Sequence, residues 1–206
     1  MIIHRTLFVT AALLGATIAD VMAQEWVVDT LSRAAICRRA ATSLHGRPAA
    51  GDYSNAVSEL PSCATAGAQG LRAQWQQPPS DTAAQRVLGE VTPRLRDRQV
   101  FDAVLAAFRD PGRSRTVRLA ALEALMGYYQ PGLSVKYVEP VQAVNHGSAY
   151  VMAGWGDKTT TSGATPLSTD TRGEILAALD QVGNQDPDER LRLISTYIRT
   201  RLTALP

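Results

Sequence analysis

Side chains able to do covalent or acid–base chemistry are sparse in this 206-residue chain. His4 lies at its start, and His45 and His146 are each isolated from other ligand-type residues, which leaves little from which to build a zinc shell or a Ser-His-Asp arrangement. His146 stands in Asn145-His146-Gly147-Ser148, where it could activate Ser148, but these are the residue types of a turn. No G-x-S-x-G and no phosphate-cradling glycine loop is present. The carboxylates Asp186, Asp188 and Glu189 are where a helix dipole favours acidic residues, before any acid–base or calcium role is needed. The reading is a non-enzymatic chain with no catalytic residue, no metal and no cofactor.

The remaining chemical pair is Cys37 and Cys63, and its meaning depends on compartment. Met1 to Ala23 has the three parts of a secretory signal peptide: a polar start at His4-Arg5, an apolar run from Leu7 to Ile18, and a small-residue cleavage site at Val21-Met22-Ala23. An uncleaved anchor is the rival, disfavoured by the shortness of the run and by Asp20 at its end. The expectation is an exported protein, periplasmic or extracellular, with no stable membrane anchor after cleavage and one domain over 24–206. In that setting an even pair of cysteines reads as one disulfide. Cys37 shares a helical stripe with Val27, Leu31, Ala34, Ala41 and Leu44, and Cys63 is spaced by four from Gly67, Leu71 and Trp75, so two facing helices could bring them together. Closing such a loop contributes on the order of 3 kcal/mol by the chain-entropy argument. The alternative is two buried free thiols, since two cysteines without a nearby histidine pair make an incomplete zinc shell.

Net charge is only +2, and the nineteen arginines are spread along the chain against two lysines, Lys136 and Lys158. No electrostatic footprint for nucleic acid or anionic lipid results.

Apolar spacing is helical from Glu25 to Leu44, with breakers at Gly46-Arg47-Pro48 and Gly51. A short helix follows from Tyr53 to Glu59, and Pro61 suits the first turn of another that runs to about Trp75. Ser80 or Asp81 caps the next start, with Ala84, Val87, Leu88 and Val91 on its apolar face and Pro93 at its end or kink. Between Phe101 and Tyr129 two amphipathic helices meet at Asp110-Pro111-Gly112, with Val117-Arg118 opening the second. The pattern breaks over 131–170, far longer than an ordinary connection. There Leu133, Val135 and Tyr137 alternate in β fashion, Val141–Asn145 and Ser148–Met152 flank a turn at His146-Gly147, and the later polar part reads as a mobile surface loop. Helical spacing returns with Ile175, Leu176, Leu179 and Val182, then Leu191, Ile194, Tyr197 or Ile198, and Leu202.

At Asp186-Pro187-Asp188-Glu189-Arg190-Leu191-Arg192 the residues stand where a HEAT-like repeat places its inter-helix turn and second helix start. Asp110 with Val117-Arg118, Ala121, Ala124 and Leu125 is similar, with two extra residues between its aspartate and arginine. The resemblance implies an all-α, irregular α-solenoid of HEAT-like helix pairs carrying a small β-hairpin or loop insertion; an irregular helical bundle is the alternative. It implies capping by the aspartate, proline in the first turn, and an arginine tied to the aspartate of a neighbouring turn, which makes Asp110, Arg118, Asp186 and Arg192 structural residues. Ser195, Ile198 and Arg199 depart from the family's Ala, Ala and Leu, as a terminal cap would.

Such repeats present surfaces to other macromolecules, so a protein partner is expected. Tyr137, Tyr150 and Trp155, with His146, are the candidate contacts, because aromatics in an exposed insertion make favoured anchors; covering the hairpin against the helices is their other reading. Arg113 and Arg115 lie near a turn that could edge the same surface, or stand as solvated charges. The rival functions are a small hydrolase-like enzyme with 131–170 as a lid, and a structural part of envelope assembly.

Overall fold

The computed structural model describes residues 33–44, 50–131, 133–137, 150–154, 161–163, 167 and 170–203. Over these the chain is mostly helical. Helix α1 covers 33–43, followed by α2 (Ala50–Glu59), α3 (Ala64–Gln76), α4 (Thr82–Val91), α5 (Arg98–Arg109), α6 (Arg115–Tyr129), α7 (Thr171–Gln185) and α8 (Glu189–Thr203). Four short strands, β1 (Leu95–Arg96), β2 (Leu133–Tyr137), β3 (Tyr150–Gly154) and β4 (Thr161–Ser162), complete the elements. The leader segment, His45, the His146-Gly147 turn and Trp155 lie outside the described residues.

Short polar side chains set the helix starts. Asp81 accepts from the Ala84 amide at 2.8 Å, and Asp97 accepts from the Gln99 and Val100 amides at 3.0 and 3.2 Å, each satisfying donors that a first turn leaves orphaned. The two Asp-Pro joins behave differently from the sequence expectation. Asp110 closes the end of α5 and accepts from the Gly112 amide at 2.8 Å, while Ser114 caps α6. Asp186 closes the end of α7, and Asp188 accepts from the Arg190 and Leu191 amides at the start of α8. Proline therefore sits in the turn, before the cap, instead of in the first helical turn. Pro61 also opens a separate 3₁₀ turn, Leu60–Cys63, from which α3 departs only at Ala64, at a φ of 46°.

Helix α4 packs between α2 and α6, and α5 packs against α3, α6 and α7. The α4–α6 contact is close enough that a Cβ at Gly89 would lie 2.5 Å from the Ala120 carbonyl oxygen, so glycine at this position permits the approach. Trp75 is buried with its indole N–H donating to Thr92 Oγ1 at 3.0 Å, which in turn donates to the Leu88 carbonyl, so a large apolar ring enters the core without an orphaned donor. Tyr128 meets Phe101 edge-on at 5.3 Å between centroids and donates to the Leu95 carbonyl.

In the insertion, β3 pairs with β2, antiparallel, from Leu133↔Gly154 to Tyr137↔Tyr150; the expected partner segment Val141–Asn145 lies outside the described residues. The later polar part is stitched to the helical body instead of floating free. Thr161–Ser162 pairs in parallel with Leu95–Arg96, the Gly163 amide donates to the Arg96 carbonyl at 3.0 Å, and Leu167 packs against the core. A Cβ on Gly163 would fall 2.3 Å from that of Asp97, so glycine permits this crossing over the α5 cap.

Ser195 is fully buried on α8, and its hydroxyl has no hydrogen-bond partner among the described residues. An orphaned buried hydroxyl costs on the order of 1–3 kcal/mol, and alanine also has the higher helix propensity. Ser195→Ala is therefore expected to stabilise the fold by about 1 kcal/mol, read as a higher urea midpoint at unchanged slope; a lower midpoint would show that the hydroxyl has a partner.

Candidate functional site

Two regions gather the residues singled out from the sequence, one at each end of α6. At its start, Arg118 and Asp186 are both buried, with side chains 2% and 4% exposed. Arg118 donates from Nη1 and Nη2 to the two carboxylate oxygens of Asp186, and from Nε to the Phe108 carbonyl at 2.9 Å. One guanidinium thus joins α6, the end of α5 and the turn between α7 and α8. Asp186 Oδ1 also accepts from the Asp188 amide at 2.9 Å, so the carboxylate is satisfied on both oxygens. Among the described residues Arg192 bonds its own turn, donating to the Asp186 carbonyl at 2.7 Å and to no neighbouring carboxylate.

Around this pair the surface charges also find partners. Arg115 bonds Asp188, and Arg113 pairs with Asp110 at 3.4 Å while donating to the Gln76 carbonyl at 3.0 Å. Neither is a free solvated charge. The length of α6, roughly 22 Å at 1.5 Å per residue, separates them from β2.

Burial pushes the Asp186 carboxyl up, but hydrogen bonds from Arg118 and the Asp188 amide, with the Arg118 charge, outweigh it and hold it below the ordinary carboxylate range. Asp188 follows the same balance, with burial opposed by Arg115 and the Leu191 amide. Glu174 is held low by its paired hydrogen bonds from Arg98 at 2.6 and 2.8 Å, a contact that joins the first turns of α5 and α7.

At the other end of α6 the β2–β3 hairpin emerges. Its root is fixed by buried Leu133, whose amide donates to the Gln130 carbonyl at 3.0 Å, and its far end places Tyr137 and Tyr150 directly opposite each other. The register brings these two candidate contacts together; His146 and Trp155 fall outside the described residues. Arg96 donates to the Gly127 and Tyr128 carbonyls and lies over the Tyr128 ring, and Arg172 does the same with the Tyr129 carbonyl and ring. Both cations sit where the last carbonyls of a helix are unpaired. Burial lowers the pKa of Arg96, Tyr128 opposes this, and the like charge of Arg172 adds to it.

The groups that tie Arg96, Arg98 and Arg172 to other elements carried no signal in the sequence, since they lie 31 to 76 residues away; Arg98 also pairs with Asp102, four residues on, at 2.8 Å. Among the described residues no three histidine, cysteine or acidic side chains group as metal ligands, and no helix is long and apolar enough to cross a membrane. No protein-family model, no curated protein and no solved structure matches the chain.

Removing one member of a buried ion pair leaves the other uncompensated and costs roughly 3–5 kcal/mol. Arg118→Met should lose about that much stability in urea unfolding, and Arg118→Met with Asp186→Leu should lose less than the sum of the single losses; strict additivity would mean the two do not act as a pair. The depressed carboxyls also set a pH window. Unfolded Asp and Glu bind protons near pH 4, above the folded values of Asp186, Asp188 and Glu174. Their contribution is therefore complete above about pH 5 and lost as pH falls through the folded values. The urea midpoint should fall steeply below about pH 4, and less steeply in Asp186→Asn.

Proposed function

We propose that the chain is an exported, non-enzymatic helical-repeat protein that binds another protein through its helix surface or through the 131–170 insertion. The observation that carries this reading is the way two helix pairs stand together. Helices α6 and α8 are joined near their starts by Arg115 and Asp188, and near their ends by the Tyr129 hydroxyl and the Leu202 carbonyl at 3.5 Å. Helices α5 and α7 are joined through Arg98 and Glu174. The pair α5–α6 is thus followed by α7–α8 in the same orientation, which favours a short α-solenoid of HEAT-like units over an irregular bundle.

In such a stack each unit touches only its neighbours, and the extended faces between turns remain available to a partner. The hairpin at the end of α6 adds an element to one such face, with Tyr137 and Tyr150 in register at its far end. The Cys37–Cys63 disulfide favours an oxidising compartment, in keeping with the leader-like first residues. Tethering the first helix by a bridge suits the end of a stack, which has a neighbour on one side only.

Two measurements test the reading. The intact mass of protein recovered from outside the cytoplasm should correspond to a chain starting at Gln24; a full-length mass would remove the cleaved-leader part. Replacing 138–149 with a short Gly-Ser turn should leave helical circular dichroism unchanged and weaken binding to the partner identified by affinity capture roughly tenfold or more. Undiminished binding by the shortened chain would assign docking to the helices, and failure of both chains to retain any partner would overturn the interaction reading.

A further inference from the structure

We infer that the Cys37–Cys63 disulfide is a redox-controlled latch whose reduction releases α1 from an otherwise intact helical body. The bridge is the covalent hold on a lightly buried helix. Of residues 33–44 only Ala40 is buried, Leu44 packs partly against the core, and Ile36 remains 47% exposed. A helix with so little buried apolar area gains little from packing, so its position depends on the bridge to the Leu60–Cys63 turn.

The two sulfurs differ in their surroundings, and the difference suits reduction under native conditions. Cys37 is half-buried on α1, and the exposed Arg33, four residues before it on the same helix face, favours approach of an anionic thiolate. Cys63 is buried and is the cap residue of the thirteen-residue α3, where the positive end of the helix dipole offsets part of the cost that burial places on a departing thiolate. The Glu59 carbonyl oxygen, 3.3 Å from Cys63 Sγ, can accept from the thiol once it forms. The reduced form of this cysteine is thus stabilised in place.

A dithiol reductant supplies the two electrons. Its thiolate attacks Cys37 Sγ, the S–S bond breaks, and the electron pair leaves on Cys63 Sγ. The second thiolate of the reductant then displaces Cys37 Sγ from the mixed disulfide. The products are two protein thiols, which take up the two protons given by the reductant, and one reductant disulfide. Release of α1 bares the part of the core against which Ala40 and Leu44 pack.

The test uses the full oxidised chain in millimolar dithiothreitol without denaturant, followed by alkylation and hydrogen exchange of the same sample. Both cysteines should become alkylated, and amides of 33–43 should lose protection by at least about tenfold while those of 64–129 and 171–203 keep theirs. The Cys37→Ser chain, never reduced, should show the same local loss, separating release of the helix from any effect of alkylation. A bridge that resists reduction until the protein is denatured would overturn the latch, as would an α1 that stays protected with both thiols alkylated. Loss of protection across α3 to α8 on reduction would equally overturn it, because the bridge would then support the whole fold.

Discussion

The ion pair between Arg118 and Asp186 is the constraint around which the rest of the structure is arranged. A guanidinium buried to this depth must have every donor direction answered, since an uncompensated charge in an apolar interior costs several kcal/mol. The answers come from two separate places: the Phe108 carbonyl at the end of α5 and both oxygens of Asp186 at the end of α7. Meeting them fixes the α5–α6 turn against the α7–α8 turn, and Arg115 with Asp188 reinforces that alignment at the rim. The apolar faces of α6 and α7 can then close over Leu122, Leu125, Ile175 and Leu179, all buried. Hydrophobic burial supplies the driving force, but it is non-directional; the paired charges select which arrangement of these helices is built.

Arginines do related work at the opposite end of α6. Arg96 and Arg172 take up carbonyls from Gly127 to Tyr129 that the helix cannot satisfy internally, and their positive charge suits the negative end of its dipole. This closes the helix where the chain must turn into β2. The return of the insertion at Gly163, over the buried cap residue Asp97, ties the same end of the body together. The hairpin is therefore tied to the body at its base, which would favour the partner contact proposed above, since a contact surface held in place loses less entropy on binding.

Much of the helical plan was legible from periodicity. The apolar stripes through Ala84, Leu88 and Val91, through Val100, Val104 and Phe108, and through Ile175, Leu179 and Val182 are the buried faces of α4, α5 and α7. The cysteine pair was legible too, from the even count and the helical stripes, and it is bridged. Local chemistry was less so. Asp110 and Asp186 have the residue type of a cap, yet each closes the preceding helix, and the neighbouring Ser114 and Asp188 take the cap role. Two candidate caps a few residues apart cannot be ranked by type alone, because the winner depends on where the preceding helix stops. The pairing of 133–137 with 150–154 was not legible in the same way, because β-type residues occur at several places in the insertion and type alone does not choose between them.

By itself the sequence determined the mainly helical class, the order of the helices, the break after Tyr129 and the cysteines available for a bridge, because each depends on spacing or composition within a few turns of chain. Tertiary structure alone decided which distant groups the arginines meet. Arg118 finds Asp186 at a separation of 68 residues, Arg98 finds Glu174 at 76, and the polar stretch that reads as a free loop is held by the Arg96 carbonyl. An arginine looks the same in sequence whether it is solvated or buried; only the packed helices determine which carboxylates and carbonyls lie within its reach.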